Sequence, residues 1–175
     1  MKFYVGCGSS NTPEEILRLM RGVAAVLARK GMKLRSSETG PADRAFIQGS
    51  GGERYCFIPF DDPAKPTLWG IPSEGQPGSP YYAFARKLNP GFMMLPKLER
   101  QWEIVANSLV YGSSGTDIAK LLVCWTPDGA TCPAEFTSDT GHVGRYLKAA
   151  HAAGVPVFNL QQPGHRGTVK SWLTR

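Results

Sequence analysis

The 175-residue chain has no CxxC pair, no apolar run approaching the length of a membrane span, and no dense basic tract. Each absence excludes something. Cys7, Cys56, Cys124 and Cys132 are scattered, and Cys56 and Cys124 lie inside apolar runs. Neither a disulfide framework nor a zinc site is expected, and reduced, mostly buried thiols fit a cytoplasmic protein better. His142, His151 and His165 form no HxH or HExxH, so no metal is expected. There is no GxSxG and no Cys–His signature for a nucleophile, and no GK[ST] follows the one glycine-rich turn near the start. "MKFYVGCGSS" enters a strand-like run with no long apolar h-region, so no secretory signal is read. No cofactor is expected.

What is present is an ordinary globular balance, 42 % hydrophobic and 19 % charged, in a chain long enough for one real core. The net charge of +6 and the pI of about 9.3 suit a phosphate-bearing ligand, nucleic acid, or a merely basic surface. "KFYVG" reads as a buried strand. In "EEILRLMRGVAAVLARKG" the residues Ile16, Leu17, Met20, Val23, Ala24 and Leu27 recur at helical spacing. Thr12 is placed to cap that helix and Pro13 to open it. "MKLRS", the short helix "PADRAFIQGS" and "RYCFIPF" complete a β-α-β-α-β pattern, the signature of a parallel sheet.

Residues 61–80 are rich in proline and glycine and read as a long loop. "YYAFARKL" and "PKLERQWEIVANSLVYG" read as helices, "AKLLVCWT" as a strand, "HVGRYLKAAHAAG" as a helix, "VPVFNL" as a strand and "HRGTVKSWLTR" as a closing helix. The expected architecture is one α/β domain over residues 1–175. It is a Rossmann-like three-layer sandwich with about five mainly parallel strands, at 2–6, 32–36, 54–58, 119–125 and 155–159.

Ligands of open parallel sheets bind beyond the carboxyl ends of the strands, where this chain concentrates its small and polar residues. "GCGSSNTP" is either a phosphate-approaching glycine loop or a tight β-α turn. In "SDTGHVGRYLKAA", Thr140, Gly141 and the amides of His142 and Val143 either open an anion-binding helix or belong to a helix capped by Ser138, Asp139 or Thr140. Arg35 ends a strand, to clamp a phosphate or to anchor the next loop. Asp43 is placed to cap or orient that loop. The loops 6–11, 36–41 and 138–144 are expected to converge on one pocket.

As an ordered set, "YVGCGSSNTP", "LRSSETGPADRAF", "YCFIPF", "LVCWTPDG" and "TGHVGRYLKAAHAAGVPVFNL" resemble the SMF/DprA–LOG (SLOG) superfamily. The nearest branch is its small phage-associated members. The resemblance implies a Rossmann-like nucleotide-binding fold, in which "RSSETGPAD" takes the place of a backbone anion-binding loop. Arg35, Ser36, Gly40 and Asp43 match the family pattern, while Ser37 and Glu38 stand where it has paired glycines. Gly6, Gly8, Ser9 and Pro13 match in the first loop, with Ser10 in place of the usual arginine. Thr140, Gly141 and Gly144 match in the third, with His142 and Val143 as departures. Relatives include LONELY GUY-type nucleotide phosphoribohydrolases, the single-stranded-DNA-binding DNA-processing protein A, and sensors of nucleotide signals. The hydrolases carry a catalytic Glu on the helix where this chain has Arg145 and no Glu.

The implied ligand is a nucleotide or nucleotide derivative, with Gly6, Gly8, Ser9, Ser10, Arg35, Ser36, Ser37, Gly40, Asp43, Asn107, Thr126, Thr140, Gly141, His142, Gly144 and Arg145 as candidate contacts. An N-glycosidase or transferase would draw its carboxylate from Glu38, Asp128 or Asp139. A phage accessory protein binding DNA or a host protein is the third reading. No membrane partner is expected, and a homo-oligomer stays open.

Overall fold

The computed structural model describes residues 1–52, 54–58, 68–70, 80–112 and 115–174. Strand β1 (Lys2–Gly6) leads into helix α1 (Glu14–Arg29), β2 (Met32–Ser36), α2 (Pro41–Gly49) and β3 (Arg54–Ile58). Then come β4 (Leu68–Gly70), α3 (Pro80–Leu88), α4 (Lys97–Tyr111), β5 (Leu122–Cys124), α5 (Gly144–Ala152), β6 (Val157–Asn159) and α6 (Pro163–Leu173). The strands form one sheet in the order β4-β3-β2-β1-β5-β6, and every pairing is parallel.

The α/β expectation holds, with two adjustments. The stretch expected as a loop over 61–80 contains the edge strand β4, and 61–67 and 71–79 lie outside the described residues. The last two strands are shorter than 119–125 and 155–159. The β1–β5 contact nevertheless runs past the strand ends: Lys120 N–H donates to Phe3 O at 2.7 Å, and Ser9 N–H to Trp125 O at 3.1 Å.

The period-two alternation of strands sorts side chains onto two faces. Val5, Cys7, Leu122 and Cys124 join the core beneath α4 and α5. Tyr4, Leu34, Val123 and Trp125 join the core beneath α1 and α2, to which Val169 of α6 adds. In α1 the expected apolar positions Ile16, Met20, Val23, Ala24 and Leu27 are buried, Leu17 is half-buried, and Leu19 and Val26 are buried in addition. Its expected cap is different. Pro13 is the N-cap residue, and its carbonyl accepts from Ile16 and Leu17 N–H. The Thr12 hydroxyl turns back to Ser9 O at 2.6 Å and tightens the preceding turn instead.

Cys7, Cys56 and Cys124 are buried and Cys132 half-buried, all four as free thiols. Burial, then the nearby Glu38 carboxylate, pushes the Cys56 thiol up to about 11, so it is a poor nucleophile at neutral pH. Among the described residues no helix is long and apolar enough to cross a membrane.

Candidate functional site

The chain runs outward from β1 through β2 and β3 to β4, then returns to the other side of β1 for β5 and β6. The order therefore switches between β1 and β5, where loops diverge and leave a crevice at the carboxyl edge. A cavity of about 340 Å³ lies there. Gly8 and Ser10 come from the β1–α1 loop, Thr39 and Gly40 from the β2–α2 loop, and His142 from the 3-10 turn Ser138–Val143. Arg145 and Tyr146 come from the first turn of α5, and Glu99 and Trp102 from α4. The three expected loops do converge.

The β2–α2 loop is organised from inside by Asp43, which is 4 % exposed. Its carboxylate accepts from the hydroxyls of Ser36 (3.2 Å), Ser37 (2.9 Å) and Thr39 (3.0 Å) and from the N–H groups of Thr39 and Gly40 (both 3.0 Å). Asp43 is the third residue of α2 and reaches back to its N-cap, the carboxylate half of a capping box. The amides and hydroxyls expected to cradle a ligand phosphate thus hold an anion that belongs to the protein. The single Ser36 hydroxyl proton is shared between Asp43 and Gly6 O, the latter at 2.9 Å, and both Ser36 and Ser37 are buried and lie off the cavity wall.

Glu38 has a φ of 56°, in the left-handed region that favours glycine. The loop geometry calls for glycine where the chain has a charged residue, and Glu38 does not line the cavity. Relieving a left-handed penalty of about 1–2 kcal/mol against a glycine entropy cost of about 0.5–1 kcal/mol, Glu38→Gly should stabilise the protein by about 0.5–1 kcal/mol. Urea denaturation measures this; a lower midpoint would show that the Glu38 side chain makes a compensating contact.

The first loop is shaped by packing. A Cβ on Gly8 would lie 2.6 Å from Ala42 Cβ, and one on Gly6 would lie 2.5 Å from the Phe46 ring, so both glycines let α2 sit against the end of β1. Ser9 is 8 % exposed, with its amide bonded to Trp125 O. Of the expected contacts in this loop, Gly8 and Ser10 reach the cavity.

Arg35 is expected either to clamp a phosphate or to anchor the next loop. It lies on the face of β2 opposite Leu34, 3 % exposed, with its guanidinium 3.8 Å from the Phe3 ring centroid. Nη1 donates to Asp117 O at 2.6 Å, and Nη2 pairs with the Asp117 carboxylate at 2.9 Å. It anchors the segment after α4 rather than clamping a ligand. Asn107 is likewise in the core at 1 % exposure, with Nδ2 donating to Glu103 O. Thr126 is fully buried, bonded to the Asn159 amide group through both its N–H and its hydroxyl.

In the third loop the cap is Thr137, which none of the sequence alternatives named. Its hydroxyl accepts from Asp139 N–H, and its own N–H donates to the Thr140 hydroxyl at 3.0 Å. The hydroxyls of Thr137 and Thr140 both donate to Asp128, whose other oxygen accepts from Ala130 N–H. Desolvation opposes ionisation of Asp128, but these hydrogen bonds together with Thr126 outweigh it and hold the carboxyl well below the usual carboxylate range. A carboxyl depressed on folding contributes stability that is present above its unfolded value, near pH 4, and is lost as the pH falls below it. Asp128→Asn should therefore reduce stability at neutral pH and flatten the acid side of the stability curve, as read by thermal melts between pH 2.5 and 7. An unchanged acid limb would refute this role.

Asp128 is thus a loop organiser, and the Asp139 side chain is exposed; neither lines the cavity. Gly141 has φ 55° and ψ −145°, a conformation reserved almost wholly for glycine, and a Cβ there would meet open space. Gly141 is not part of the cavity wall; its neighbour His142 is. Gly144 accommodates Phe136, 3.3 Å from where a Cβ would stand.

Sequence reasoning missed Glu99, Trp102 and Tyr146. Arg145 pairs with Glu99, and its Nε lies 3.9 Å from Glu103, which is 7 % exposed. The signal was a helix, α4, carrying Glu99, Trp102 and Glu103 at three- and four-residue spacing, which places them on one face. Burial is the largest influence on His142 and lowers its pKa, with Asp43 opposing and Arg145 adding to the depression. The imidazole lines the cavity. Among the described residues no group of three or more His, Cys, Asp and Glu is placed to hold a metal ion. No family model, no curated protein and no solved structure matches the chain.

Proposed function

We propose that the protein binds a nucleotide or nucleotide-derived small molecule in the cavity at the carboxyl edge of its sheet. One observation carries the reading: the loops leaving β1 and β2 and the turn that enters α5 meet, at the switch in strand order, on one cavity whose far wall includes Trp102. Sites of ligand size at this position in open α/β sheets are concave and have an aromatic wall with a few polar groups. The motif-by-motif resemblance to SLOG proteins supports the same reading. Trp102 offers a face on which a base can stack, and Ser10, Thr39 and the loop backbones offer groups for a sugar.

Isothermal titration with the four common ribonucleosides and their 5′-monophosphates tests it. At least one should bind, and Trp102→Ala should weaken that binding by about 1–3 kcal/mol, the usual worth of one stacked base. No heat with any of them, or binding indifferent to Trp102→Ala, would overturn the proposal.

A second reading, cleavage or transfer at an N-glycosidic bond, is favoured by the carboxylate of Glu99 on the cavity wall. It requires free base to be released from a bound nucleoside, which chromatography detects. Glu38, Asp128 and Asp139 do not reach the cavity to serve such a reaction.

A further inference from the structure

We infer that the cavity takes the uncharged nucleoside part of its ligand and discriminates against a phosphate within it, with Glu99 as the residue that sets this preference. The inference rests on the nucleotide-derived reading above and narrows it.

Three observations carry it. The anion site of the β2–α2 loop is already filled: the amides of Thr39 and Gly40 and three hydroxyls point at Asp43. A phosphate at the amino end of α2 would have to displace a buried carboxylate and then lie against it. In the β1–α1 loop the Ser9 and Thr12 amides are also committed, to Trp125 O and Ser9 O.

Next, Arg145, the cation that the described residues bring to the wall, is already engaged by carboxylates. Arg145 is paired with Glu99 and lies 3.9 Å from a Glu103 oxygen, and these two carboxylates are 43 % and 9 % exposed as side chains. Two carboxylates, Glu99 and Glu103, face this one guanidinium, in a protein whose overall charge is +6. A phosphate bound here would lie beside the Glu99 carboxylate, and like charges repel.

Third, the cavity is small. At about 340 Å³ it sits at the low end of the roughly 300–1,000 Å³ usual for ligand sites, of the order of a base and sugar. What its wall offers suits that part of the molecule. Trp102 supplies an aromatic face. Glu99 supplies an acceptor for ribose hydroxyls or an exocyclic amine, and charged acceptors of this kind make strong hydrogen bonds to neutral donors.

The test compares each ribonucleoside with its own 5′-monophosphate, by isothermal titration, on the wild type and on Glu99→Gln. The wild type should bind the nucleoside at least about tenfold more tightly than the monophosphate. Glu99→Gln removes the charge, keeps the shape and releases Arg145, so it should raise monophosphate affinity and close or invert that gap. Circular dichroism confirms that the variant is folded; should it not be, the wild-type ratio alone decides. Tighter wild-type binding of the monophosphate, or a ratio unmoved in folded Glu99→Gln, overturns the inference and leaves the proposed function standing. Binding of neither series overturns both.

Discussion

Asp43→Ala should cost about 3–5 kcal/mol of folding stability, the range for breaking a buried charged network, and should abolish ligand binding. The carboxylate accepts five hydrogen bonds, from Ser36, Ser37, Thr39 twice and Gly40. Removing it leaves two amides and three hydroxyls without that acceptor. Ser36 keeps a partner in Gly6 O, so it suffers least; the amides of Thr39 and Gly40 lose most. The loss also falls on the amino end of α2, where a negative charge is favoured by the helix dipole. Thr39 and Gly40 form one wall of the cavity, so a loosened loop and a lost site go together. Asp43→Asn should fall between wild type and Asp43→Ala, because its side-chain oxygen still accepts while its amide group faces donors. Urea midpoints order the three proteins. A loss below about 1 kcal/mol, the worth of one ordinary hydrogen bond, would mean that water replaces the carboxylate without penalty and that Asp43 does not organise the loop.

Arg35→Ala should destabilise by about 2–4 kcal/mol, combining a cavity, a lost stacking contact and lost hydrogen bonds, yet leave ligand affinity unchanged while the protein is folded. The guanidinium lies over Phe3, pairs with Asp117 and donates to the Asp117 carbonyl. The position is cramped: a Cβ on Gly112 would come within 2.6 Å of Nη2. Arg35→Lys should rescue little, since an ammonium lacks the planar fork and the stacking face. A clamp on a ligand anion would behave oppositely, with a mild effect on stability and a large one on affinity. Denaturation and titration on the same preparation therefore decide between the two roles.

The sequence alone determined the layering of this protein and the edge at which its candidate site lies. Helical spacing in α1 and α2 and short apolar runs in β1, β2 and β3 are local signals, and hydrophobic burial makes local patterns of this kind reliable. A β-α-β order compels a parallel sheet with crossovers, and a parallel sheet puts every strand's carboxyl end on one edge. The convergence of the glycine loop, the Ser-rich loop and the Thr-Gly turn followed from that topology. Tertiary structure decided what those residues do once there. Which face Arg35 occupies depends on the pleat of β2 against α4, seventy-odd residues later in the chain. Asp43 was legible as a residue that caps or orients this loop, but that its carboxylate gathers three hydroxyls and two amides depends on side-chain directions within α2 and the loop. The Glu99–Arg145 pair joins residues 46 apart, and the basic balance of the chain pointed the other way. A net charge sums over a surface, whereas recognition depends on the few charges facing one another across a cavity, and those distances exist only in the folded chain.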